Sequence, residues 1–325
     1  MCRRPELLVP DERREEFRQL CEMSRIQVIT WHHTGAPFCD LERRQIHVGW
    51  PFCERLWAHV CAYLAVYEWY ERRNSPKTVG PFLEDLANAS VMKLLNWALL
   101  ADNVSARIPW PAETPRPPST LARVPISFAA VNELLSPSML NHFEGRVNRI
   151  FQRAIGWMLL HEMAHLWAGH SMEPPAGWTR QIAGRIQEMQ ADDFATQWFL
   201  GSSDEKYAAD PLTILGVIGG HVMLISQALL PFNRNTPPAS GHPDPPSRLR
   251  RLLRSFRSER DLAWIAASVF LELELRAQKL PSADNEEFGT DRHLCRAYEC
   301  MGGFVISARA DKTASGTKMG SQSPA

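Results

Sequence analysis

The chain has 325 residues, of which 45% are hydrophobic and 22% charged, ordinary values for a globular protein. That length can bury a large core unaided, so wholesale disorder, collagen-like repeats and small disulfide scaffolds are excluded. Lys and Arg number 36, as do Asp and Glu, which leaves no overall basic footprint for nucleic acid.

The seven cysteines are odd in number and include no Cys-x-x-Cys pair. Met1-Cys2-Arg3-Arg4-Pro5 has no apolar signal core behind it. Together these features lead us to expect free thiols in a reducing cytoplasm.

Residues 1–24 read as a charged helix. Residues 25–31 and 44–48 alternate β-branched and polar side chains, so two short strands are expected, joined by a loop with Gly35 and Pro37. From Pro51 to Arg73 apolar residues recur at helical spacing. A loop at 74–80 leads to a second amphipathic helix at 81–100, with Pro81 in its first turn. Five prolines within 109–118 forbid helix or central strand, and the stretch is expected to be a long ordered loop.

Long helices are expected at 147–169, with Gly169 as its stop signal, and at 179–200. Residues 211–233 carry no Asp, Glu, Lys or Arg and approach the length of a membrane span. Gly216, Gly219, Gly220, His221, Ser226 and Gln227 fit a buried core helix at least as well. A Pro-rich turn at 237–246 precedes a basic helix from Ser247. Its Arg248, Arg250, Arg251, Arg254 and Arg257 read as a solvated face, with an anionic partner surface as the lesser alternative. A helix at 261–280 closes the ordered part. Residues 308–325 are poor in apolar side chains and read as a disordered tail. The expected architecture is α+β and mostly helical: one domain over 1–307, with a small sheet from 25–48.

His161-Glu162-Met163-Ala164-His165 spells HExxH inside the 147–169 helix. At about 100° per residue, positions four apart differ by only about 40°, so both histidines can reach one metal ion. Glu162 stands beside it, where it can take a proton from water. Two structural histidines and a solvated glutamate are the plain alternative for the pentapeptide alone.

Catalytic zinc usually has three protein ligands and one open position. Glu188, 23 residues after His165 on the next helix, can be the third. Asp192, one turn further on the same face, can accept the spare N–H of a ligating histidine. Rival third ligands are His170, Asp192 and Asp193. His170 falls close to the HExxHxxGxxH spacing, but Gly169 is one place late and His170 one place early. Glu173, before Pro174-Pro175, ranks below these.

HEMAHLWAGH followed by EMQADDFATQWFL resembles the gluzincin HExxH…ExxAD metallopeptidases, and within them most resembles the Lit-type phage-exclusion peptidases. The strands at 24–30 and 44–48, the helix around Trp57 and the Pro109-Trp110-Pro111 loop add to the likeness. It extends over much of 25–280. The resemblance implies a gluzincin-like fold, zinc at His161, His165 and Glu188, and a catalytic Glu162. It also implies an intracellular endopeptidase of anti-phage defence; the best-known family target is a translation elongation factor.

His242-Pro243-Asp244-Pro245-Pro246-Ser247-Arg248 resembles the HPxxxxR segment of several such peptidases. Here His242 is a candidate donor to a tetrahedral oxyanion. Arg248 is a candidate carboxylate clamp, anchoring the turn or binding substrate. A Pro-rich turn capped by Ser247 accounts for the same residues without a functional role.

The expected protein is therefore a cytoplasmic zinc endopeptidase acting on a protein or peptide substrate, with Glu162 as general base and no nucleic-acid partner. One alternative is a non-catalytic helical interaction protein with a structural metal site. Another is a membrane-embedded HExxH peptidase, suggested by 211–232. A covalent nucleophile is not supported: no G-x-S-x-G occurs and no cysteine stands in a recognisable catalytic context.

Overall fold

The computed structural model describes residues 9–31, 36–73, 92, 95, 137–170, 177, 179–200, 210–229, 245–256, 261–283 and 288–300. A 3-10 turn, Asp11–Arg13, runs into α1, Arg14–Ser24, which buries Phe17 and Leu20. The two expected strands are β1, Gln27–Trp31, and β3, Gln45–Gly49. They pair in parallel, with Val28 opposite Ile46.

A third strand, β2 (Phe38–Asp40), lies between them in the chain and corrects the two-strand expectation. Three residues are too few for alternation to stand out. β2 pairs antiparallel with β3, so the order is β1-β3-β2 and β2 is an edge.

α2, Trp50–Arg73, follows β3 directly, with Pro51 in the first turn, where a missing N–H costs no hydrogen bond. α3, Pro137–Trp167, starts ten residues earlier than the periodicity suggests. Phe143 and Val147 are already fully buried in those early turns. Then come α4 (Arg180–Leu200), α5 (Pro211–Leu229), α6 (Pro245–Leu253) and α7 (Leu262–Ala277). Asp261 caps α7 by accepting from the N–H groups of Ala263 and Trp264.

A further helix at 291–300 lies beyond the expected end of order at 280 and buries His293, Leu294 and Ala297. Its apolar face is too short to register as a period. The 109–118 loop, the turn bearing His242 and the 308–325 tail lie outside the described residues. So does the 81–100 helix, except that Met92 and Leu95 are helical and buried.

The apolar character of α5 comes from its position. It packs on α3 along one side and on α2 and α7 along another, so protein rather than lipid meets its side chains. Among the described residues no helix is long and apolar enough to cross a membrane. Its polar Ser226 donates to the fully buried Glu274 of α7 at 2.5 Å, and Tyr63 of α2 donates to the other carboxylate oxygen at 2.5 Å. Glu274 is thus buried with hydrogen-bond partners.

Gly216 sets how closely α5 can approach α3. A Cβ at that position would lie 2.5 Å from the Cβ of Arg153 and 2.8 Å from the carbonyl oxygen of Ile150. One turn on, Gly220 faces Ala154 and Met158 of the same helix. Gly219 faces the other way, with Tyr63 at 3.6 Å.

This asymmetry makes a prediction. Gly216→Ala should destabilise by about 1–3 kcal/mol, because the helices must separate. Gly219→Ala has room and adds helix propensity, so its thermal midpoint should hold or rise. Equal midpoints for the two variants would contradict the close approach.

Candidate active site

Helix α3 delivers His161 and His165 to one point from positions one turn apart. Their Nε2 atoms are 3.2 Å apart. Glu188 reaches the same point from α4, with Oε2 at 3.3 Å from His161 Nε2 and Oε1 at 3.4 Å from His165 Nε2. All three residues are buried. Donors around a tetrahedral zinc ion with bonds of about 2.0–2.1 Å lie about 3.3–3.4 Å from one another. Each of these contacts has about that spacing, with Glu188 turning a different oxygen to each histidine, and the three side chains could hold a metal ion. Among the described residues, no fourth His, Cys, Asp or Glu joins the group.

Behind this group lies a paired charge. His161 Nδ1 donates to Asp192 Oδ1 at 2.9 Å, so Asp192 holds the ring with Nε2 turned to the centre. Arg248 of α6 clamps Asp192 with two bonds, Nε to Oδ2 at 2.8 Å and Nη2 to Oδ1 at 2.5 Å. Its Nη1 also lies 3.5 Å from Glu188 Oε2. The carboxylate that Arg248 holds is thus one of the chain's own.

Among the other arginines of the basic helix, Arg251 and Arg254 are exposed, as a solvated face requires, and Arg250 is half-buried; all three make ion pairs. Arg251 pairs with Asp193 at 2.6 Å. Arg250 and Arg254 both pair with Asp291. These bonds tie α6 to α4 and to the 291–300 helix. They were invisible in the sequence because the acids lie 37 to 58 positions away. Arg257 and His242 lie outside the described residues.

Glu162 points toward the edge strand. The backbone N–H and the thiol of Cys39, in the middle of β2, both donate to its carboxylate. Burial pushes the Glu162 carboxyl above the usual carboxylate range; the charge of His161 and the Cys39 bonds oppose this, and Glu188 adds to it. Burial and the adjacent Glu162 in turn push the Cys39 thiol up, which keeps it protonated and a donor. A cysteine thus does stand beside the site. Its only sequence signal was a three-residue strand.

The rival ligands fall elsewhere. Asp193 is exposed and committed to Arg251. His170 lies behind His165, with its Nδ1 2.9 Å from His165 Nδ1 and its Nε2 3.1 Å from Gln190 Oε1. Glu173 lies outside the described residues. His221 of α5 is buried against Trp157, ring centroids 4.1 Å apart, and donates from Nδ1 to the carbonyl of Val217. Burial lowers its pKa to about 4, so it is neutral.

The charges are unequal. Three carboxylates, Glu162, Glu188 and Asp192, face one guanidinium, Arg248. A divalent cation would restore balance. Without one, His161 compensates. Burial alone would lower its pKa, but hydrogen bonds to Asp192 and Glu188 outweigh that and raise it to about 9.

The folded value lies above that of unfolded histidine, about 6.5. The stability it contributes is therefore full below about pH 6.5 and is lost as pH rises toward 9. The thermal midpoint of chelator-treated protein should fall across that window. Asp192→Asn should flatten the fall. A flat wild-type profile would contradict the pairing.

Comparison with known proteins places the chain in a family. The model of the family described as Peptidase U49 matches residues 46–267, about two thirds of the chain, and spans the HExxH helix, Glu188, Asp192 and Arg248. No curated protein and no solved structure matches. On the extent of that match, the chain belongs to the Peptidase U49 family.

Proposed function

We propose that the chain is a zinc-dependent endopeptidase that hydrolyses peptide bonds of a protein substrate inside the cell. The observation that carries this reading is the convergence of three buried side chains, His161, His165 and Glu188, with contacts of 3.2–3.4 Å between their donor atoms, beside a glutamate that is not among them. Zinc, when bound there, supplies Lewis acidity that polarises a carbonyl and acidifies water.

The remaining work falls to the chain's own residues. Glu162 takes a proton from the attacking water and later passes it to the leaving amine. Its raised pKa suits the first half of that task, since a carboxylate at its ordinary value would take the proton up poorly. Cys39 holds the Glu162 carboxylate by its N–H and thiol, and Asp192 with Arg248 keeps His161 in the tautomer that leaves Nε2 free. His242 is proposed as a donor to the tetrahedral oxyanion, on its likeness to the HPxxxxR segment alone.

Lit-type peptidases are the U49 family. The family match and the resemblance of HEMAHLWAGH and EMQADDFATQWFL to those peptidases support a role in anti-phage defence. By the same resemblance, a translation elongation factor is the first substrate to try.

The test separates metal from base. Glu162→Gln should retain about one zinc per chain but lose about 10²–10⁴-fold of hydrolysis, because the amide cannot take a proton. His161→Ala and Glu188→Ala should lose most of the zinc itself. Metal content by atomic absorption and new protein termini in treated lysate read the two effects separately. Wild-type hydrolysis by Glu162→Gln would exclude the HExxH mechanism. Zinc binding without any hydrolysis would favour a structural metal site instead.

A further inference from the structure

We propose that His170 is a positioning residue that fixes the tautomer of His165 and thereby strengthens the metal site. The inference rests on the zinc reading above and adds a residue outside the three ligands and their carboxylate support.

Its placement follows from how α3 ends. Gly169 has φ +63°, a backbone angle that favours glycine, and His170 N–H donates to the His165 carbonyl at 3.1 Å. That six-to-one bond is the Schellman turn, which brings the second residue after the helix cap back over the last helical turn. Such turns commonly seat an apolar contact between those two positions. Here they seat two imidazoles, with ring centroids 4.9 Å apart and planes at 73°.

A ligand role for His165 sets the direction of the bonds behind it. His165 Nε2 faces Glu188 at 3.4 Å and His161 at 3.2 Å, so a ligand role requires its lone pair there. The proton of neutral His165 is therefore on Nδ1. It points at His170 Nδ1, 2.9 Å away, which must accept. The proton of His170 is then on Nε2, and Gln190 Oε1 accepts it at 3.1 Å. Gln190 is two residues beyond Glu188, so α4 supplies both a ligand and the end of this relay.

The two metal-facing histidines are thus supported differently. His161 has a carboxylate clamped by an arginine, whereas His165 has a neutral imidazole held by an amide. Removing the acceptor at position 170 weakens the hold on the tautomer that leaves the His165 Nε2 lone pair free. Second-layer partners of this kind typically change metal affinity by about 10–100-fold.

The experiment measures zinc affinity by competition with a chromophoric chelator at fixed pH. His170 is half-buried on a turn, so its variants should fold. His170→Ala and His170→Phe should weaken zinc by about 10–100-fold. Phe keeps the ring packing and removes the acceptor, together with the donor to Gln190. His170→Asn puts an amide oxygen where Nδ1 was and should recover most of the affinity. A Phe variant that binds like wild type, or an Asn variant as weak as Ala, would overturn the proposal. Wild-type zinc binding that His161→Ala abolishes and every His170 variant leaves unchanged would overturn it alone. A wild-type chain that takes up no zinc would overturn this proposal and the zinc reading together.

Discussion

Carboxylates held out of water must find positive charge, and Glu188 and Asp192 impose that demand on everything around them. They lie one turn apart on the buried face of α4, so neither can be satisfied by solvent. Arg248 answers part of the demand with a forked pair of bonds to Asp192 and a longer contact to Glu188. His161 answers another part through Nδ1. With Glu162 ionised and His161 neutral, the group is still two positive charges short. That deficit is why a divalent cation suits the place and why His161 holds a proton when none is bound.

Geometry of this kind needs a stiff frame. The donor atoms lie on two helices, and a small shift of either would spoil their spacing. α5 supplies the backing: Gly216 and Gly220 let it pack directly on the backbone of α3, one to three turns before the histidines. A helix made of large side chains would stand further off and leave α3 freer to move. The same packing explains a segment with no Asp, Glu, Lys or Arg in a chain that otherwise has ordinary surface composition.

Two neighbouring glutamates are set in different surroundings by their partners. Glu188 faces two imidazoles and a guanidinium. Glu162 faces a strand edge, where its partners are an amide N–H and an uncharged thiol, and burial raises its pKa. The second environment is the one that lets a carboxylate take up and release a proton. β2, only three residues long, accounts for much of that difference.

Relations within one turn of helix were legible in the sequence by itself. His161 with His165, and Glu188 with Asp192, are four residues apart, and helical pitch alone puts such pairs on one face. The strands at 27–31 and 45–49 and most helix spans followed from periodicity for the same local reason. Relations between elements were not legible. Arg248 comes to Asp192 across 56 residues, and Cys39 comes to Glu162 from a strand too short to announce itself. His170 is the instructive intermediate. Its nearness to His165 in the chain suggested a third ligand, yet the positive φ of Gly169 turned it behind the ring instead. Sequence determined which side chains could share a face, because that depends on covalent spacing. Only the tertiary structure decided which of them meet, because that depends on where packing brings separate helices and the sheet edge together.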